Sequence, residues 1–273
     1  MKRIFVFLSA SLILFTSACQ SSAAPQQDYG VFIGISDEAI FEISGYDVLV
    51  IDADFFSAET IAQLRQNGNT HIYSYLNIGS IETFRSGYPD FEGITLGPYE
   101  NWPEERWVDV SQPQWEQYLN VKAQELADKG IDGFFLDNAD VYYVYETEEV
   151  YQSLLSILQT LRRFKLPLVI NGGDVFVNTA INRGELKGLV EGINQETVFT
   201  SINFQNQTYG KQNKENRDYL IEYLMRCKEN GLQVQLLEYG APPALAQQIQ
   251  EFCSQHGFLC FIAPSLELNE IPR

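Results

Sequence analysis

Apolar residues fall along this chain in two alternating patterns. Short runs such as Asp47-Val48-Leu49-Val50-Ile51 are almost continuously apolar, as in parallel strands covered on both faces. Such runs predict strands over Val31–Ile35, Tyr46–Asp52, His71–Asn77, Gly133–Asp137, Leu166–Asn171, Gly188–Ile193, Val234–Glu238 and Phe258–Ile262. Helical stretches separate them. Ser57–Asn67 starts at a Ser cap, has Thr60 three residues on and stops at Gly68. Pro113–Lys129 follows Ser111, ends at Gly130 and carries Trp115, Leu119 and Leu126 at helical spacing. Glu148–Phe164, Glu215–Asn230 and Ala244–His256 read the same way, and Asn230-Gly231 is a further stop. Eight strands alternating with helices in about 245 residues match an α/β fold of the (β/α)8 TIM-barrel type, in a single domain. A doubly wound open sheet is the alternative. No GxGxxG or GxxxxGK[ST] follows any of the strands, so nucleotide binding lacks its marker.

The first residues read as an address. Met1-Lys2-Arg3 is basic, and Ile4 to Phe15 is an apolar run of about a dozen residues, short for a membrane span. Thr16-Ser17-Ala18-Cys19 follows. Small residues before a single Cys resemble a bacterial lipoprotein signal in which Cys19 becomes the lipidated first residue, although Thr16 stands where Leu is usual. An ordinary leader cut after Ala23 or Ala24 is the alternative. The expected organisation is a signal peptide over 1–18, a polar tether over 19–28 and the barrel over 29–273. The protein is expected to be exported and held on the outer side of a bacterial membrane by its lipid, or otherwise secreted.

Charge narrows the partners. The chain has 36 Asp and Glu against 18 Lys and Arg, a net charge of -18, and removing Lys2 and Arg3 with the leader makes it -20. That excludes a surface built to grip nucleic-acid phosphates, and leaves the lipid at Cys19 as the only expected contact with a membrane. Cationic or neutral partners fit. Beyond Cys19 the cysteines are Cys227, Cys253 and Cys260, an odd number with no CxxC, and their pairing stays open. His71 and His256 lie far apart, so neither a His/Cys zinc cluster nor a histidine-based triad is expected. Asp137-Asn138-Ala139-Asp140 lacks the spacing of a calcium loop. No metal and no cofactor are expected.

One connection is long. Ile78 to Gln112, about thirty-five residues after the third strand, carries Phe84, Tyr88, Phe91, Tyr99, Trp102 and Trp107. Loops of this length are functional or disordered, and the aromatic content argues against disorder. At a barrel's C-terminal face it would wall a cleft for sugar rings. The expected strand ends present acids and amides: Asp52 and Asp54, then Tyr75, Asn77 and Glu82, then Asp137, Asn138 and Asp140. Further on come Asn171 and Asp174, Glu191, Asn194 and Glu196, and Glu238 and Tyr239. Burying so many carboxylates is costly without a task. No Lys, Arg or His is expected among them. Such a mouth suits a polyol or cationic substrate and chemistry by a carboxyl pair, as in glycoside hydrolysis.

Several strings resemble glycoside hydrolase family 114. They are Tyr46-Asp47-Val48-Leu49-Val50-Ile51-Asp52, Tyr75-Leu76-Asn77-Ile78-Gly79 with Glu82, and Gly130 to Asp140, which contains Phe135-Leu136-Asp137-Asn138-Ala139-Asp140. Asn171-Gly172-Gly173 and Val190 to Glu196 extend the resemblance over most of residues 29–265. The resemblance implies a (β/α)8 fold and endo-α-1,4-polygalactosaminidase activity on a partly deacetylated, galactosamine-rich exopolysaccharide, a cationic partner. It implies catalytic acids after the fourth and sixth strands, which here are Asp137 as nucleophile and Glu191 as general acid/base. Asp52, Tyr75, Asn77, Glu82, Asn138, Asp140, Asn171, Glu196, Glu238 and Tyr239 would shape the subsites. A non-catalytic glycan-binding lipoprotein on the same fold is the alternative, and it would not need two facing acids.

Overall fold

A computed structural model describes residues 27–272. The leader and Cys19 lie outside the described residues. Eight parallel strands form the inner layer: β1 Gln27–Phe32, β2 Tyr46–Ile51, β3 His71–Asn77, β4 Gly133–Asp137, β5 Leu168–Asn171, β6 Gly192–Glu196, β7 Gln233–Tyr239 and β8 Leu259–Ala263. They pair in chain order, and β8 comes back beside β1, where Phe32 and Phe261 meet edge to face at 5.1 Å. The result is a nearly closed TIM barrel. Six long helices cover it: α1 Ala58–Gln66, α2 Pro113–Asp128, α3 Glu148–Leu161, α4 Asp174–Arg183, α5 Lys214–Glu229 and α6 Pro243–His256. Among the described residues no helix is long and apolar enough to cross a membrane.

The Ser57 cap and the apolar stripe of the Pro113 helix are as expected, and the Thr147 cap is added by the structure. Ser57 caps α1 by accepting from the N–H of Thr60, and Thr147 caps α3 by accepting from that of Val150. Trp115, Leu119, Ala123 and Leu126 form the buried stripe of α2. The tether ends earlier than expected, because Gln27 and Asp28 already belong to β1 and Gln27 N–H donates to Gly45 at 2.8 Å.

Two departures matter for the site. The apolar stretch Gly188–Val190 is a turn and lead-in, so the sixth strand starts at Gly192 and ends at Glu196. The long loop after β3 is ordered as a three-stranded antiparallel sheet of Ser80–Glu82, Trp102–Val108 and Thr95–Tyr99. Its Tyr99 stacks on Trp107 at 4.3 Å, so part of the aromatic content packs on itself.

Candidate active site

The polar groups converge at the C-terminal ends of the barrel strands, where TIM barrels carry their chemistry. Register places them. Asn77 on β3 pairs with Asp137 on β4, and Asn171 on β5 pairs with Asn194 on β6. Because strand side chains alternate, Asn194 and Glu196 share one face, and that face is the lumen. Asn171 Nδ2 donates to Asp137 Oδ1 and to Glu196 Oε1, both at 2.8 Å. Its Oδ1 accepts from Asn194 Nδ2 at 2.7 Å, and Asn194 Oδ1 accepts from the Tyr29 hydroxyl at 3.1 Å. Tyr239 on β7 donates to the other oxygen of Glu196, Oε2, at 2.7 Å. Two bonds of 2.8 Å to one nitrogen hold those carboxyl oxygens of Asp137 and Glu196 no more than 5.6 Å apart, twice 2.8 Å.

Both carboxyls are pushed upward. Burial raises the pKa of Asp137 well above the ordinary range, and the charges of Glu196 and Glu105 add to it. Burial raises that of Glu196, against the hydrogen bonds from Asn171 and Tyr239. Two carboxyls this close share protons rather than ionise together.

The partner expected for Asp137 is corrected. Glu191 precedes β6 at the opposite, N-terminal end of the barrel. There it forms an ion pair with Arg162 at 2.5 Å and accepts from the N–H of Leu168 at 2.9 Å. It lies five positions before Glu196, the length of the strand, so the two acids sit at opposite ends of β6. Glu238 is also removed from the mouth. It is fully buried and brackets the loop after β6, accepting from Phe199 N–H at 2.9 Å, Thr200 N–H at 2.8 Å and Thr200 Oγ1 at 2.5 Å. Asp174 begins α4 and accepts from the Tyr219 hydroxyl.

The other expected residues divide into two groups. Asp140 accepts from Gly173 N–H at 3.0 Å, and burial raises its pKa to about 6. Gly172 and Gly173 make this approach possible. Both have left-handed φ, +64° and +65°, and a Cβ on Gly172 would lie 2.7 Å from Asp140 Oδ2. Asn77 and Asn138 donate to Glu105 Oε1 at 2.9 and 2.8 Å, and Ser80 Oγ donates to it as well. Glu105, on Trp102–Val108, was not expected. It is a third carboxyl at the mouth, with its pKa raised by burial.

The second group is a half-buried ionic knot. Arg85 contacts Asp52 at 2.6 Å, Glu82 at 3.0 Å and Asp54 at 3.3 Å, and its guanidinium lies 5.0 Å from the Phe55 ring centre. Tyr75 donates to Glu82 at 3.4 Å. Basic residues therefore do join the acids: Arg85 here, and Lys122, 3.0 Å from Asp54. Arg85 offsets part of the negative charge of Asp52 and Glu82 beside the mouth. Among the described residues no group of His, Cys, Asp and Glu side chains is arranged to hold a metal ion.

Solved structures that share this architecture include several glycoside hydrolases. The glycoside hydrolase domain of PelA from Pseudomonas aeruginosa superposes with a TM-score of 0.75 at 20% identity, over 91% of this chain and 98% of that one. Ega3 of Aspergillus fumigatus, in complex with galactosamine, gives 0.66 at 17% identity, over 93% and 96% of the two chains. The α-galactosidase TtGalA of Thermus thermophilus gives 0.58 at 12% identity, over 86% of this chain and 57% of that one. At these identities the likeness is one of fold, and it defines the class as a (β/α)8 barrel. No curated protein matches the chain. The sequence profile of glycoside-hydrolase family GH114 matches residues 15–163, more than half of the chain. The chain belongs to that family and is a glycoside hydrolase.

Proposed function

We propose that this glycoside hydrolase cleaves α-1,4-linked, galactosamine-type exopolysaccharide by a retaining mechanism, with Asp137 as nucleophile and Glu196 as acid/base. The observation that carries the reading is the single amide nitrogen of Asn171 shared by both carboxyls at 2.8 Å. A retaining pair works at about 5–5.5 Å, whereas an inverting pair needs roughly 6.5–9.5 Å for a water between them. The roles follow from the hydrogen bonds. Asp137 has one oxygen on Asn171, and its other oxygen accepts no bond from the described residues, so it is open to an anomeric carbon. Glu196 has both oxygens held, one by the Tyr239 hydroxyl, which suits a group that gives up and retakes a proton.

In this scheme Asp137 attacks the anomeric carbon while Glu196 protonates the departing glycosidic oxygen. Water then breaks the glycosyl–Asp137 ester, giving one proton back to Glu196. The substrate class is supported by the acidic mouth, the net charge of -18 and the galactosamine bound in Ega3. An ammonium group entering beside Asp137 would lower the pKa that burial and neighbouring acids have raised, so binding would help to ionise the nucleophile.

The test is release of reducing ends from a galactosaminoglycan, with azide added to alanine variants. Asp137→Ala should yield a glycosyl azide of inverted configuration, and Glu196→Ala one of retained configuration. The reverse outcome would exchange the roles, and no cleavage by the wild type would defeat the substrate assignment. Export and lipid attachment at Cys19 belong to the same proposal. Cys19→Ser should release the protein from the membrane fraction, and a wild type already free in the medium would refute the anchor.

A further inference from the structure

Beside the mouth lies a separate groove of about 620 Å³, between the hairpin Thr200–Asn203/Thr208–Lys211 and Asn101 of the long loop after β3. Asn101, Ser201, Asn203 and Gln205 offer amides and a hydroxyl, and Phe204 and Tyr209 offer rings. Trp102 meets Phe204 edge to face at 6.4 Å, and each is 40% exposed. Two excursions from different strands thus form one aromatic platform. No carboxylate lines the groove. Residues 197–214 contain no Asp or Glu at all, in a chain that has 36 of them in 273 residues.

The groove is joined rigidly to the catalytic pair. The ring of Tyr209 lies 6.3 Å from that of Tyr239 at an interplanar angle of 20°, and Tyr239 holds Glu196. Tyr209 is fixed in turn, because its hydroxyl accepts from Leu266 N–H at 2.7 Å. Its ring covers Gly240, where φ is +54° and a Cβ would lie 2.3 Å from the ring.

We propose that this groove is a distal subsite of the polysaccharide cleft and takes an uncharged, N-acetylated hexosamine unit, while the carboxylate mouth takes a free amine. The inference rests on the galactosamine-type substrate proposed above. An acetamido group brings one N–H, one carbonyl and a methyl. Side-chain amides can meet both polar groups. Asn203 Oδ1 already accepts from the N–H groups of Gln205 and Asn206, each at 3.1 Å, which leaves its NH2 group to donate. The Phe204 and Trp102 rings suit the apolar face of a sugar and a methyl group. An ammonium here would lose water without gaining a counter-charge, a cost that an acetamide does not carry. The enzyme would therefore read a pattern along the polymer, an acetylated unit at a set distance from the amine-bearing unit it cuts.

Binding to full-length Glu196→Gln protein tests this without turnover. The probes are α-1,4-linked galactosamine oligomers, fully N-acetylated, partly acetylated or fully deacetylated, followed by tryptophan fluorescence. Trp102 is the exposed reporter, since Trp107 and Trp115 are buried. The partly acetylated oligomer should bind at least about fivefold tighter than the deacetylated one, the scale on which truncating an aromatic anchor is felt. Phe204→Ala and Gln205→Ala in the same background should abolish that preference. On partly acetylated polymer, Phe204→Ala in the active enzyme should raise KM and leave kcat in place. A preference that is absent, or that survives both substitutions, overturns the subsite. Wild-type cleavage of the polymer with no groove effect sinks the subsite alone. Neither cleavage nor binding sinks the substrate reading and the subsite with it.

Discussion

Replacing Glu196, the last residue of β6, and Glu191, which precedes that strand, each by glutamine separates chemistry from scaffold. Glu196 is half-buried in the mouth, with hydrogen bonds of 2.8 and 2.7 Å on its two oxygens. Glutamine keeps its shape but cannot donate an acidic proton to a leaving group. Acid/base assistance is worth roughly 10²–10⁴ in rate, about 3–5 kcal/mol of barrier at about 1.36 kcal/mol per tenfold. Glu196→Gln should therefore lose at least about a hundredfold in kcat on polymer while remaining folded. Its loss should be far smaller on an aryl α-galactosaminide with an acidic phenol, which departs without a proton, and Asp137→Asn should fail on both substrates. Glu191 is 41% exposed, and its ion pair with Arg162 is a surface contact. Such pairs contribute about 0–1 kcal/mol. Glu191→Gln should keep kcat within about twofold and shift Tm by at most about 4 °C. The measurements are reducing-end kinetics, aryl glycoside kinetics and thermal melts on the same preparations. A hundredfold loss in Glu191→Gln, or near-normal kcat in Glu196→Gln, would refute the reasoning.

Other outcomes follow from the same geometry. Asn171→Leu removes the shared donor, and hydrogen bonds to charged groups contribute about 1.5–3 kcal/mol. kcat should fall by at least about tenfold with the fold intact by circular dichroism, and an unchanged kcat would show that the amide only fills space. Glu105 raises the pKa of Asp137, so Glu105→Gln should move the acid limb of the kcat/KM profile to lower pH, and an unmoved limb would contradict this. Burial raises Glu238 from 4.5 to about 7. It binds its proton more tightly when folded, so its contribution, about 3 kcal/mol, is complete below pH 4.5 and lost as pH rises through 7. Tm should fall between pH 5 and pH 8, and Glu238→Gln should flatten that slope. Steering over a Debye length of about 10 Å predicts that added salt lowers kcat/KM on deacetylated polymer and spares fully acetylated polymer, and equal salt effects on both would remove the role of charge.

Much of the barrel was legible because its strands are apolar on both faces. β3 and β4 match the expected runs residue for residue, and Asp137 with them. β6 was not, for a physical reason: its second half places Asn194 and Glu196 in a polar lumen, with Gln195 on the other face, and so lacks the apolar run that marks a buried strand. The run Gly188–Val190 beside it drew the assignment four residues early and put Glu191 where Glu196 belongs. Glu105 was hidden in a loop read as irregular. Its alternation with Trp107, both on the covered side of Trp102–Val108, was the signal that could have found it. Arg85 has no periodic context, and only folding brings it to Asp52, thirty-three residues away. α4 was masked by Gly172-Gly173 and by Asp174, which reads as a strand-end acid and is in fact its first residue.

The hydroxyl of Tyr29 reaches Asn194 across 165 residues of sequence, from the first strand to the sixth. That brace makes activity a gauge of barrel closure. If β1 peels from β8, Asn194 loses the donor that orients it, Asn171 loses its fixed direction, and the two acids lose their common anchor before any helix has unfolded. Inactivation on mild heating should then run ahead of the loss of helical signal. Removing the first strand should disarm a centre to which it contributes no acid.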